Sequence, residues 1–137
     1  MKRTLFVLSL LAGAALLSGC KTDHGAYAPV NTTINNLEDS ARFVLLDKGA
    51  QRSVTSPGIQ ESRLQDGRLQ VVANLRNREN RRIQVQVNCV FKDAQGFVVE
   101  DTPFQSVFLD ENAQEGVRFV SSNDRAMRYT IRVRQAR

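Results

Sequence analysis

The sequence predicts an all-β domain, an antiparallel immunoglobulin-like β-sandwich of about seven or eight strands behind a cleaved signal peptide. Three observations carry this reading. Apolar residues recur at every second position in three segments, the pattern of a strand with one face buried. Turn-forming residues punctuate the chain at short intervals. After the N-terminal apolar run, no segment carries a helical period.

In chain order, Met1, Lys2 and Arg3 precede an apolar stretch from Leu5 to Leu17, the charged and apolar regions of an export signal. A helix needs about 20 apolar residues to span a bilayer, so this run is too short to be an anchor in itself. It closes on Leu17-Ser18-Gly19-Cys20, which resembles the lipobox of bacterial lipoproteins. The resemblance implies cleavage after the small Ser18 and Gly19. It also implies a diacylglycerol on the Cys20 thiol and an N-acyl group such as palmitate, with no other cofactor. One acyl chain holds a protein only marginally, whereas two or more anchor it stably, because each buried methylene contributes about 0.8 kcal/mol. Lys21 follows Cys20 where an aspartate would retain the protein at the inner membrane, so sorting by analogy points to the outer membrane, facing the periplasm.

Residues 20–39 carry small, polar and turn-forming types without a sustained apolar period and read as a tether, with residues 40–137 as the sandwich. In that domain Leu69, Val71, Ala73 and Leu75 alternate with polar or outward positions. Ile83, Val85, Val87, Cys89 and Phe91 alternate with Gln84, Gln86, Asn88 and Val90. Met127, Tyr129, Ile131 and Val133 alternate with Arg128, Thr130, Arg132 and Arg134. Shorter candidate strands are Phe43–Leu46, Ile59–Leu64, Phe97–Val99, Phe104–Leu109 and Val117–Val120. Between them lie Asp66-Gly67, suited to a tight hairpin because glycine accepts positive φ, and the turns at 77–80, 93–96 and 110–116.

Removing residues 1–19 takes away Lys2 and Arg3 and leaves 118 residues, one ordinary domain, with 17 basic against 14 acidic side chains. That mild imbalance, in an exported chain, excludes a nucleic-acid binder. His24 is the single histidine and falls in the tether, so no pre-positioned base or imidazole metal ligand is expected. Cys89 reads as a small hydrophobe on an inward strand face, against the alternative of a reactive thiol. Asp110, Glu111 and Glu115, and Glu100 with Asp101, are the carboxylates that glycosidic chemistry could use. They fall in turn sequences, where solvent opposes the raised pKa a general acid needs.

The arginines are the strongest lead. Arg76, Arg78, Arg81 and Arg82 crowd one hairpin, and Arg128, Arg132 and Arg134 share the outward side of the last strand. A guanidinium's planar fork suits phosphate and carboxylate, so lipopolysaccharide, peptidoglycan or another envelope protein could be met there. The same charges also serve to keep a sandwich soluble.

At "QVNCVFKDAQGFVVE" and "RAMRYTIRVR" the sequence resembles the YcfL-like family of small bacterial outer-membrane lipoproteins, with Phe91, Asp93 and Gly96 in its strand–turn–strand pattern. The resemblance implies an immunoglobulin-like sandwich and supplies no catalytic residue. The expectation is a non-enzymatic binding or scaffolding module of the cell envelope. The alternative is an envelope hydrolase, or an inactive relative of one, acting on peptidoglycan or another glycan.

Overall fold

A computed structural model describes residues 36–136; the signal, Cys20, His24 and most of the tether lie outside the described residues. Two sheets pack face to face. The elements are α1 (Asn36–Ser40), β1 (Phe43–Leu45), α2 (Lys48–Ser53), β2 (Val54–Arg63), β3 (Leu69–Asn77), β4 (Ile83–Lys92), β5 (Val98–Asp101), β6 (Gln105–Leu109), β7 (Gln114–Val120) and β8 (Arg128–Gln135). The smaller sheet has the order β2-β3-β7. The larger runs β1-β8-β4, with β5 and β6 sharing the far side of β4.

The alternating segments deliver the core. Leu69, Val71, Ala73 and Leu75 from β3 meet Val85, Val87, Cys89 and Phe91 from β4 and Tyr129, Ile131 and Val133 from β8, all buried. Burying each large apolar side chain contributes about 1.5–3 kcal/mol, which is why period-two patterning settles which face turns inward. Met127 departs from the expected pattern. It lies one residue ahead of β8 and is 51% exposed.

Two further features differ from the sequence expectation. The chain carries two short helices, and Asp47 caps the second, accepting the Ala50 N–H at 2.7 Å. The sandwich is not wholly antiparallel either, since β1 pairs parallel with β8, Phe43 opposite Ile131. On the other flank of β4, Val90 faces Asp101 of β5 and Val87 faces Gln105 of β6. The ladder is interrupted between them at Thr102-Pro103-Phe104, where proline has no N–H to give. Thr102 closes the gap: its N–H donates to Cys89 O at 3.0 Å and its hydroxyl accepts the Cys89 N–H at 2.9 Å.

The sandwich has two chemically distinct ends. One gathers α1, the β4–β5 hairpin, the β2–β3 hairpin and the β7–β8 connection. Here the chain enters: the Lys92 ammonium donates to Glu38 O at 2.6 Å and the Thr130 hydroxyl to Ala41 O at 2.9 Å, docking α1 onto the outer face of the larger sheet. Asn36–Ser40 is thus part of the folded domain, four residues ahead of the boundary set at 40 from sequence. The opposite end carries α2, the β3–β4 loop and the β6–β7 loop.

Candidate functional site

The sequence places three arginines in a row on β8, and the structure gives each a different environment. Arg132 is consumed within the fold. Its side chain is 18% exposed; its Nη2 donates to both oxygens of Asp101 at 2.7 and 2.9 Å and its Nε to Asn88 Oδ1 at 3.0 Å. Asn88 in turn donates to Asp101 Oδ1 and Thr102 O. This clamp ties β8 to β4 and to the 101–104 crossing, so Arg132 has little left for a partner. Arg134 is exposed, donates only to the neutral Gln86 Oε1 at 2.8 Å, and lies 3.8 Å over the Phe104 ring. Arg128, exposed at the chain-entry end, has no acidic partner among the described residues. β8 lies between β1 and β4 as an interior strand, so these charges do not guard an edge.

The four arginines of the β3–β4 segment stand at the end opposite chain entry. Arg76 and Arg78 are exposed, the latter anchored through its backbone N–H to Ser53 O at 2.8 Å. Arg81 is paired with Glu79, which also accepts the Ser53 hydroxyl; both contacts hold the Glu79 carboxyl below the ordinary carboxylate range, the arginine first. Arg82 makes a 3.3 Å contact with Asp110, whose side chain is 78% exposed, and lies 4.8 Å over the Phe108 ring. Such a solvated pair contributes little and exchanges readily for another anion.

Arg81 and Arg82 line a cleft of about 250 Å³ with Gly49, Ser53, Gln84 and Gln135. Beside it, the outer face of the larger sheet continues as a polar surface. Gln84 stands opposite Phe108 and Gln86 opposite Ser106 on β6, while Arg134 stands opposite Gln86 on β8. Phe104, just ahead of β6, and Phe108, within it, each carry a guanidinium stacked on a ring. Stacking fixes the cation while leaving its N–H edge available. Nothing in the sequence reading singled out these phenylalanines; the signal was there in "FQSVFLD", where Ser106 and Phe108 take the outward positions and Val107 and Leu109 the inward ones.

Three of the five carboxylate candidates are engaged elsewhere, and Glu111 and Glu115 are exposed to solvent. Asp101 belongs to the Arg132 clamp, Glu100 accepts the Ser122 N–H at 2.7 Å, and Asp110 faces Arg82. Cys89 sits in the core, where burial, with the Glu100 charge second, pushes its thiol well above the ordinary range. Among the described residues no group of histidine, cysteine and acidic side chains is arranged to hold a metal.

A two-sheet sandwich with cationic, aromatic-backed positions on one end and face defines the class as a small β-sandwich module. The chain belongs to the family described as protein of unknown function DUF1425, whose pattern matches residues 41–135, from just ahead of β1 to the end of β8. Two solved structures are similar in fold. The crystal structure of Campylobacter jejuni cj0090 is 18% identical with a TM-score of 0.56, over 69% of this chain and 98% of that one. A DUF1425 family member from Shewanella sp. pv-4 is 23% identical with a TM-score of 0.54, over 61% and 77%. No curated protein matches the chain.

Proposed function

We propose that this protein is a YcfL-like, outer-membrane-anchored periplasmic lipoprotein, held by acylated Cys20, whose sandwich is a non-enzymatic module that binds peptidoglycan. One observation carries the reading: the chain enters at the Lys92–Thr130 end, and Arg78, Arg81 and Arg82 project from the other. A domain tethered in this way presents those arginines away from its lipid. Lipopolysaccharide lies on the far side of the membrane, whereas the carboxylates of peptidoglycan stem peptides lie on the periplasmic side, within reach of guanidinium forks.

The test uses isolated sacculi and the mature protein. Each exposed contact is worth at most about 1 kcal/mol, so Arg78→Gln, Arg82→Gln and Arg134→Gln together are expected to weaken binding roughly tenfold. Wild-type binding is expected to fall as salt rises. Equal sedimentation of wild type and the folded triple variant defeats the peptidoglycan reading; binding to purified lipopolysaccharide or to one envelope protein would redirect it. Mass spectrometry of the mature N-terminus is expected to find Cys20 triacylated, and a Cys20→Ser chain that still matures to the outer membrane refutes the anchor.

A further inference from the structure

Six large apolar side chains remain exposed among the described residues, and four of them, Leu37, Phe97, Val98 and Met127, belong to segments at the chain-entry end. Phe97 is the most exposed, at 72%, and its position is built rather than incidental. It leaves the β4–β5 turn, where Asp93 Oδ1 accepts the N–H groups of Gln95 and Phe97, both at 2.9 Å. Gly96, at φ 92°, supplies the left-handed residue that turns the chain. A hairpin so fixed leaves both Phe97 and Val98 exposed at its tip. On the other flank of β4, Met127 donates its N–H to Lys92 O at 2.8 Å, and Val98 and Arg128 are both registered to Lys92. The apolar side chains therefore straddle one strand end.

We infer that this end is a membrane-contact rim, with Phe97, Val98 and Met127 seated at the headgroup–acyl boundary of the bilayer that holds the protein. The inference rests on the lipoprotein reading above and adds an orientation to it. Fifteen residues lie between Cys20 and Asn36, a reach of at most about 55 Å, and they join the domain at this end rather than at the arginine-bearing one. Charge leaves the apolar groups to carry the contact. The segments 39–42, 61–68, 92–100 and 121–128 hold six basic and six acidic side chains, and Asp66 and Glu100 are taken up by Arg68 and the Ser122 N–H. Arg128 stands beside the rim without an acidic partner among the described residues, suited to a lipid phosphate. Peripheral contact of this kind combines a covalent lipid with a small apolar surface, neither of which need hold alone.

The chain contains no tryptophan, so a single one reports its own position. Full-length Phe97→Trp, purified with its lipid and reconstituted in phosphatidylethanolamine–phosphatidylglycerol vesicles with brominated acyl chains, is expected to lose most of its emission. Met127→Trp is expected to do the same. Phe108→Trp, at the far end, is expected to keep its emission, and the quenching at position 97 is expected to survive high salt. If Cys20 is acylated by mass spectrometry but the Phe97→Trp and Phe108→Trp proteins stay equally bright, the rim is wrong and the anchor stands. An indole at position 97 that is shielded from acrylamide yet blind to bromolipid places protein there and also overturns the inference. An unmodified Cys20 removes the anchor and the rim together.

Discussion

Replacing Asn77 tests how the arginine-bearing end is held in place. Its side chain is wholly buried at the end of β3, and its amide nitrogen donates to the carbonyls of Arg81 at 2.7 Å, Leu109 at 3.2 Å and Asp110 at 2.8 Å. Its oxygen accepts the Glu79 N–H at 2.9 Å. One residue thus staples the β3–β4 loop to the β6–β7 loop. Asn77→Ala removes all four contacts and strands backbone groups that water reaches only in part. The amide has two hydrogens to share among three carbonyls, so the four contacts amount to about three hydrogen bonds, and at about 1 kcal/mol net for each the expected loss is about 3 kcal/mol. A domain of this size is stable by about 5–15 kcal/mol and shifts its midpoint about 4–8 °C per kcal/mol, so the melt should fall by about 15 °C. Circular dichroism melts and urea titrations read this directly. Asn77→Asp is the sharper variant. It keeps the shape but sets an oxygen against three carbonyl oxygens, so at pH 7 it should cost as much as alanine. The crowding raises the buried carboxyl's pKa, so the penalty applies above the unfolded value of about 3.9 and eases as pH falls and the acid regains a proton to donate. An alanine variant melting within about 3 °C of wild type, or an aspartate variant as stable as wild type at pH 7, would refute the staple.

The two neighbouring arginines of β8 should separate stability from binding. Arg132→Gln breaks the clamp on Asp101 and Asn88 and, discounted for the half-exposed Asp101, should cost about 2 kcal/mol in urea titration. Arg134→Gln should cost under about 0.5 kcal/mol while weakening sacculus binding; the reverse ranking would dismiss the assignment. The Cys89 thiol should label slowly in the native protein and fast in denaturant. Because its folded pKa is raised, the unfolded chain loses the proton first, so stability should decline as pH rises above the ordinary thiol value of 9.0, by at most about 1.4 kcal/mol per pH unit. Cys89→Ala should flatten that decline; Tyr129, also raised by burial, adds a loss of the same sign above 10.0.

The inward faces of β3, β4 and β8 could be read from the sequence because burial on one side of a sheet writes itself as alternation. What covers the other side could not. Asn88, Val90 and Lys92 point outward on β4 yet are buried, because α1 and the 101–104 crossing lie over them. The fate of Arg132 was hidden for the same reason, its partners Asp101 and Glu38 coming from distant segments. The hairpin arginines were legible as a cluster but not as the wall of a cleft, since Gly49 and Gln135 reach it from α2 and β8. Asp47 ahead of "KGAQRS" was a readable helix cap, overlooked because six residues show no period.

The parallel pairing of β1 with β8 has a consequence for how the chain is made. The strand that fills the middle of the larger sheet is the last of the described elements along the chain, and it bonds the first strand on one side and β4 on the other. Until residues 128–135 exist, Val87, Cys89 and Phe91 have no cover from Tyr129, Ile131 and Val133, and both β1 and β4 present open edges. A nascent or clipped chain therefore cannot settle into a smaller version of the fold. Closure of the larger sheet waits for residues 128–135, so its first strand and β4 stay unjoined while everything between them is already in place.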